Sequence, residues 1–241
     1  MELFGIEILE LPKDEMLTVL IDRIESSKRT FVVTANALIM LKAAKNPEYR
    51  EIIEKADFVV PDGFGIHLVG KLKYKKDIPR YPGIDIVKDL LAIGKEKRWK
   101  FYFLGSRKEV VKRLWEIYKD EVDIVGYHHG YFYGDGPVSE IVSLKPDIIF
   151  VAMGAPKQEF WIWENLEKFD KGLFMGVGGS FDVLSGMKKR APNWMIKTGF
   201  EWAYRFLQSP SKRWKVPFQI GEFLIKALLY HKEERSIDEK R

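Results

Sequence analysis

The chain has 241 residues, 46% of them hydrophobic and 31% charged, and no cysteine. That balance suits one sizeable core, alone or with a small appendage; it excludes wholesale disorder, disulfides, thiolate catalysis and cysteine-bound zinc, and fits a reducing cytoplasm. The net charge of +5 is uneven: residues 187–241 hold 13 Lys/Arg and 6 Asp/Glu, a net of +7, while the rest sums to −2, so the tail is the part expected to meet an anionic partner.

The opening MELFGIEILELPKDE is acidic, with neither a basic start before its apolar stretch nor a small-residue cleavage site, and does not read as a secretory signal. A helix is predicted over 15–26, with Met16, Leu20, Ile21 and Ile24 on one face. Short runs rich in Val, Ile and Phe predict strands at 31–35, 58–60, 101–104, 124–126, 148–152 and 173–177. Between them, 108–118 reads as a helix with Val111, Leu114, Trp115 and Tyr118 on one face, and 86–96 as another, capped by Asp85. Strand alternating with helix predicts an α/β fold: a Rossmann-like, mostly parallel sheet with helices on both faces. A boundary is expected within 185–192, dividing a catalytic domain (1–188) from a basic, aromatic-rich helical appendage (189–241) that contains Trp194, Trp202, Phe206 and Trp214. The most apolar stretch of the appendage, 216–230, is interrupted by Pro217, Gly221, Glu222 and Lys226 and falls short of the about 20 apolar residues a membrane span needs. Residues 231–241 are nearly all polar and are expected to fray.

The functional signal lies in the residues just past each strand. The first run contains Thr34 and leads into Asn36; later runs lead into Pro61-Asp62-Gly63, Gly105-Ser106, Gly154-Ala155-Pro156-Lys157-Gln158-Glu159 and Gly178-Gly179-Ser180. Ligands of open α/β sheets bind outside the carboxyl ends of the strands, so five such ends predict one polar cleft. Gly105 and Gly178-Gly179 read either as tight turns or as places where backbone N–H groups approach a phosphate. Asp62 reads either as a general base of raised pKa beside an apolar wall, or as the cap of a helix starting near Gly65. Arg80, in the loop IPRYPGID, reads either as a diphosphate clamp or as a solvated surface residue. His128-His129 is read as structural, since no carboxylate cluster accompanies it. The chain contains no D-x-D pair to hold a metal on a nucleotide diphosphate, which favours a metal-independent route without cofactor.

In order along the chain stand TANALIMLKAAKNPEYREIIEKADFVVPDGFGI, RYPGID, FLGS, HHGYF, VAMGAPKQEFW, GVGGSFDVLSG and RAPNW with GFEWAYRFLQSP. This ordered set, from about residue 4 to 213, resembles the WecG/TagA/CpsF glycosyltransferases. The resemblance implies a Rossmann-like fold of the class called GT-E and an inverting, metal-independent transfer from a UDP-sugar, UDP-N-acetylmannosamine in TagA-like members, to N-acetylglucosaminyl-diphospho-undecaprenol. It implies Asp62 as base, Arg80 as a diphosphate contact, and Thr34, Asn36 and Gln158 as site-lining residues. With these residues, Gly63, Asp85, Gly105, Gly154, Lys157, Glu159, Gly178 and Gly179, in and beside the strand-end loops, are expected to bind substrate. Arg190, Arg205, Lys212 and Arg213 are implied for the membrane surface and the acceptor diphosphate, although Ser209-Pro210-Ser211-Lys212-Arg213 departs from the family's Glu-Pro and arginines. The implied place is the inner face of the plasma membrane, peripherally bound, in cell-wall or surface polysaccharide synthesis, without nucleic acid; a homo-oligomer stays open. Weighed beside it are a nicotinamide-dependent oxidoreductase, which lacks the early glycine fingerprint, and a nucleic-acid binder acting through the tail, which the near-neutral body disfavours.

Overall fold

The computed structural model describes residues 1–134 and 136–230, Lys212 by its backbone alone; the expectations for the Lys212 side chain and for 231–241 lie outside the described residues. The chain opens with a hairpin too short for the periodicity to reveal, β1 (Glu2–Leu3) and β2 (Ile6–Glu7), whose turn residues Phe4 and Gly5 both have positive φ, the condition of a tight two-residue hairpin turn. Helix Lys13–Glu25 leads to β3 (Arg29–Ala35), helices Ala37–Lys45 and Pro47–Glu54, and β4 (Phe58–Pro61). Helix Phe64–Val69 runs into a π-turn, Gly70–Tyr74; then come helix Gly83–Lys97, β5 (Lys100–Gly105), helix Lys108–Tyr118 and β6 (Asp123–His128). Helix Val138–Leu144, β7 (Ile148–Ala152), helix Lys157–Asn165 and β8 (Gly172–Gly176) complete the alternation, and the described chain after β8 is helical.

β3 to β8 form one sheet in the order β4-β3-β8-β7-β5-β6, parallel at every pairing. All carboxyl ends therefore lie at one edge. The central strands are continuous apolar runs because both faces are covered. Alternate residues go to opposite sides: Phe31, Val33, Tyr102, Leu104, Ile149, Val151 and Phe174 join one buried cluster, while Val32, Phe101, Phe103, Ile148, Phe150, Leu173 and Met175 join the other. Met16, Leu20 and Ile24 of the first helix and Val111 and Leu114 of helix Lys108–Tyr118 fill the second cluster, as their spacing predicts.

Past β8 come helices Ser180–Leu184, Asn193–Thr198, Glu201–Gln208, Pro210–Arg213 and Val216–Leu229. The last packs on helices Ala37–Lys45 and Phe64–Val69, and its Phe223 and Ala227 are fully buried in the first cluster. Its start beside the carboxyl edge of β3 and β4 lets the tail roof the site. No helix among the described residues is long and apolar enough to cross a membrane.

Candidate active site

Two cavities open at the carboxyl edge of the sheet, and Asp62 lines both. The first, about 270 Å³, is the more polar of the two, walled by Thr34, Asn36, Gly154, Gln158, Gly178 and Gly179, with Lys42 at its side. The second, about 330 Å³, is mostly apolar, between Phe64 and Leu68 on one side and Phe200, Trp202, Ile220 and Leu224 of the tail on the other; Arg80 lines it too. Asn36, Leu38, Asp62, Arg205 and Arg213 belong to both walls. Asp62 thus shares one cavity with Gln158 and the other with Arg80.

Asp62 does not cap the helix beginning after Gly63, which has no side-chain cap. Its Oδ1 instead accepts the N–H of Gly83, 2.9 Å away, at the first residue of helix Gly83–Lys97, and the Asn36 side chain donates to it as well. The residue keeps a partly open surface, but its carboxyl group is enclosed by protein. Burial pushes its pKa up from the usual carboxylate range; the Arg205 charge is the largest opposing influence. The outcome is a fixed carboxylate with appreciable basicity. Its backbone is held equally firmly, since the N–H groups of Asp62 and Gly63 both donate to Ala35 O. At Gly63 a Cβ would stand 2.9 Å from the Asn36 Cβ, so glycine lets the ends of β3 and β4 close together. Asn36 has two duties: beside meeting Asp62, its Oδ1 caps helix Ala37–Lys45 at Leu38 N and Ile39 N.

The loops after β7 and β8 are joined by one side chain. Gln158 Oε1 accepts the N–H of Gly154 and of Gly178, each at 3.0 Å. Its Nε2 donates to Glu159 Oε1 at 2.7 Å, and Glu159 Oε2 accepts the Tyr49 hydroxyl at 3.0 Å. Glu159 is fully buried and lines neither cavity; desolvation raises its pKa, and the two donors oppose the shift. The implied substrate contact at Glu159 is therefore corrected to a positioning role: with one carboxylate oxygen facing the amide nitrogen, Gln158 must present its oxygen to the loops. The Gly178 N–H is consumed by this staple and is not directed at a phosphate. Thr34 ties β3 to β8 through Oγ1 to Gly176 O, 2.9 Å.

Other implied residues sit elsewhere. Lys157 is exposed and outside both cavities. Gly105 is outside them as well; a Cβ there would meet the Ala152 backbone at 2.5 Å, and its φ is +123°, so packing of β5 against β7 explains the glycine. Helix Gly83–Lys97 starts before Asp85, at Pro82, so Asp85 is no cap. It instead forms a two-pronged pair with Arg190, at 2.6 and 2.7 Å, which ties the segment before the tail helices to helix Gly83–Lys97. Arg190 is engaged there and also borders a basic cleft with Lys188, Lys189, Arg205 and Arg213. His128 turns its Nδ1 to His129 O, and among the described residues no three His, Asp or Glu group as metal ligands.

The cationic groups are unevenly satisfied. Arg80 is half-buried, stacks over Phe64 at 5.5 Å and donates through Nη1 to Ile196 O. Its Nε is buried without a hydrogen-bond partner among the described residues, and desolvation lowers its pKa. Arg213 is lowered by burial first and by the like charge of Arg205 second. Arg205 is ion-paired with Glu201, while Arg213, desolvated and beside a like charge, suits an anion. Lys42, which the motifs do not single out, is desolvated and donates to Ala155 O. Its spacing from Leu38 and Ile39, one turn on along the same helix, is the signal that could have found it. Trp202 turns inward as cavity wall, while Trp194 and Trp214 are 63% and 59% exposed.

A family model supplies the deciding comparison: the Glycosyl transferase WecG/TagA/CpsF family matches residues 1–237. The chain belongs to this family. It is a glycosyltransferase. A protein of Bacillus spizizenii, named N-acetylglucosaminyldiphosphoundecaprenol N-acetyl-beta-D-mannosaminyltransferase, is 37% identical over 212 residues, covering 86% of this chain and 82% of its own. Proteins of the same name from Bacillus subtilis (34% over 209 residues, 85% and 81% covered) and Staphylococcus aureus (36% over 187 residues, 76% and 74% covered) are similar too. The turn after β3 carries Asn36 where a dinucleotide fingerprint needs glycines, which disfavours the nicotinamide-dependent alternative.

Proposed function

We propose that this glycosyltransferase moves N-acetylmannosamine from a UDP-sugar to N-acetylglucosamine carried on a polyprenyl diphosphate, with inversion and without a metal, in the assembly of a cell-wall or surface polymer. The observation that carries the reading is the position of Asp62, one carboxylate on the wall between a polar and an apolar cavity. In this reading the polar cavity takes the nucleotide-sugar and the other side admits the acceptor, so that the acceptor hydroxyl meets Asp62 as it attacks the anomeric carbon. Asp62 takes the hydroxyl proton, the new glycosidic bond forms, and UDP departs from the opposite face of the sugar. Arg205 and Arg213, on the wall shared with the polar cavity, offset the growing diphosphate charge, a task a metal performs in other transferases.

The tail supports a peripheral membrane position. Phe200, Leu207, Trp214, Phe218, Ile225 and Leu229 are exposed in a segment that also carries Lys197, Lys215 and Lys226. Apolar side chains among basic ones suit the boundary of an anionic leaflet.

The test is a product assay with UDP-N-acetylmannosamine, UDP-N-acetylglucosamine and UDP-glucose against a prenyl-diphosphate-N-acetylglucosamine acceptor, with and without EDTA. Transfer of N-acetylmannosamine, insensitive to EDTA and giving the inverted linkage by NMR, is expected. Preference for another sugar would overturn the donor assignment, and loss of activity in EDTA restored by Mg²⁺ would overturn the metal-free route.

A further inference from the structure

We propose that the apolar cavity is a binding site for the isoprenoid units next to the acceptor's diphosphate; the inference rests on the acceptor reading above and deepens it. The cleft, of about 330 Å³, touches the candidate base and has the size and the largely apolar lining of a ligand site. Its walls are chemically divided. Phe64, Leu68, Trp202, Ile220 and Leu224 give it an aliphatic and aromatic lining; Asp62, Arg205 and Arg213 belong to the wall shared with the polar cavity, and Arg80 lines the apolar cavity alone. A ligand complementary to both parts is an amphiphile with an anionic group joined directly to a hydrocarbon chain. Arg80 lines this cavity and not the polar one, so its guanidinium is the cation that faces the acceptor's diphosphate, while Arg205 and Arg213 face the nucleotide's.

The polarity order fixes the direction of entry. With the anionic group at Arg80, the sugar beyond it reaches Asp62, and the chain runs back between helix Phe64–Val69 and the tail helices. Phe200, which lines the cavity, is also 51% exposed, so this wall continues to the apolar surface of the tail. The cavity is too small for a long polyprenol. It holds only the proximal units and leaves the remainder in the bilayer, so acceptor recognition involves the protein and not the membrane alone.

The discriminating experiment uses the full chain in solution, without detergent or vesicles, with N-acetylglucosaminyl diphosphates bearing C5, C10, C15 and C20 prenyl tails below their aggregation thresholds. Acceptor KM is expected to fall at least tenfold from C5 to C15 and then level off. Leu68→Trp and Ile220→Trp, which fill the cavity, should raise the C15 acceptor KM at least tenfold and leave UDP affinity by calorimetry unchanged. Efficient transfer with a KM independent of chain length would overturn the inference alone, as would a KM that keeps falling without a plateau. No transfer to any acceptor by the unmodified chain, while UDP still binds, would overturn the acceptor reading and this inference with it. The chain-length series needs no variant, so poor folding of a tryptophan variant leaves the test intact.

Discussion

Replacing Glu159 with leucine probes the staple under the polar cavity. The change removes the acceptor of Gln158 Nε2 at 2.7 Å and of the Tyr49 hydroxyl at 3.0 Å, both buried. A buried donor left alone costs about 1–3 kcal/mol, and hydrogen bonds to a charged acceptor contribute about 1.5–3 kcal/mol each. Relief of the desolvated carboxylate, whose pKa burial holds above the usual range, opposes this loss. The net destabilisation is about 2–4 kcal/mol, which for a chain of this size lowers Tm by roughly 5–12 °C. The functional consequence is separate. Once Glu159 no longer fixes its nitrogen, the Gln158 amide can turn and direct N–H groups at Gly154 N and Gly178 N, so the two loops part. UDP affinity, measured by calorimetry below the melting range, should weaken at least tenfold, equivalent to about 1.4 kcal/mol. Glu159→Gln keeps an oxygen for Gln158 and offers an N–H to the Tyr49 oxygen; it should retain UDP affinity near the parent. A folded Glu159→Leu protein with parental UDP affinity would refute the staple, and equal damage by glutamine and leucine would show that the carboxylate acts by charge instead.

Asp85→Ala removes the two-pronged pair with Arg190, partly exposed on both sides; a loss of about 1 kcal/mol and a Tm drop of roughly 2–4 °C are expected, with faster proteolysis of the tail as the second readout. Asp62 has a raised pKa in the folded chain, so the native state holds its proton longer than the unfolded one. Its contribution to stability is present below the ordinary pKa of 3.8 and declines as pH climbs through the raised value. Asp62→Asn should therefore be at least as stable as the parent at neutral pH by urea titration, and a markedly lower midpoint would contradict the assigned burial. Vesicle sedimentation should show binding to anionic lipid that weakens as salt rises from low to high, at about 1 kcal/mol per basic residue near the surface; equal pelleting with neutral vesicles would argue against an electrostatic contribution.

The sheet was legible because its central strands are buried on both faces and so appear as uninterrupted Val, Ile and Phe runs; ends moved by at most two residues, and 148–152 not at all. The hairpin at β1 and β2 was not legible, because strands of two residues carry no period. Asp62, Arg80, Thr34, Asn36 and Gln158 could be named in advance since each stands at or just past the end of a strand or sits in a proline-bounded loop. Their partners could not. Glu159 beside Gln158 reads as the favourable acid of a first helical turn, and only coordinates show it turned inward to Tyr49, 110 positions earlier in the chain. Asp85 looked like a cap because local sequence contains no sign of Arg190, 105 positions away. The apolar cavity was invisible for the same reason: half of its wall comes from the region of Phe64 and half from tail residues whose aromatics read equally well as core or as membrane-facing.

Turnover by Asp62→Asn with both substrates saturating tests the role of this carboxylate most directly. Asparagine preserves the size of the side chain and its acceptance from Gly83 N while removing the proton acceptor. A general base at this position predicts a kcat lower by about 10²–10⁴-fold with UDP affinity intact. A kcat close to the parent's, in a folded variant that binds UDP normally, would contradict it.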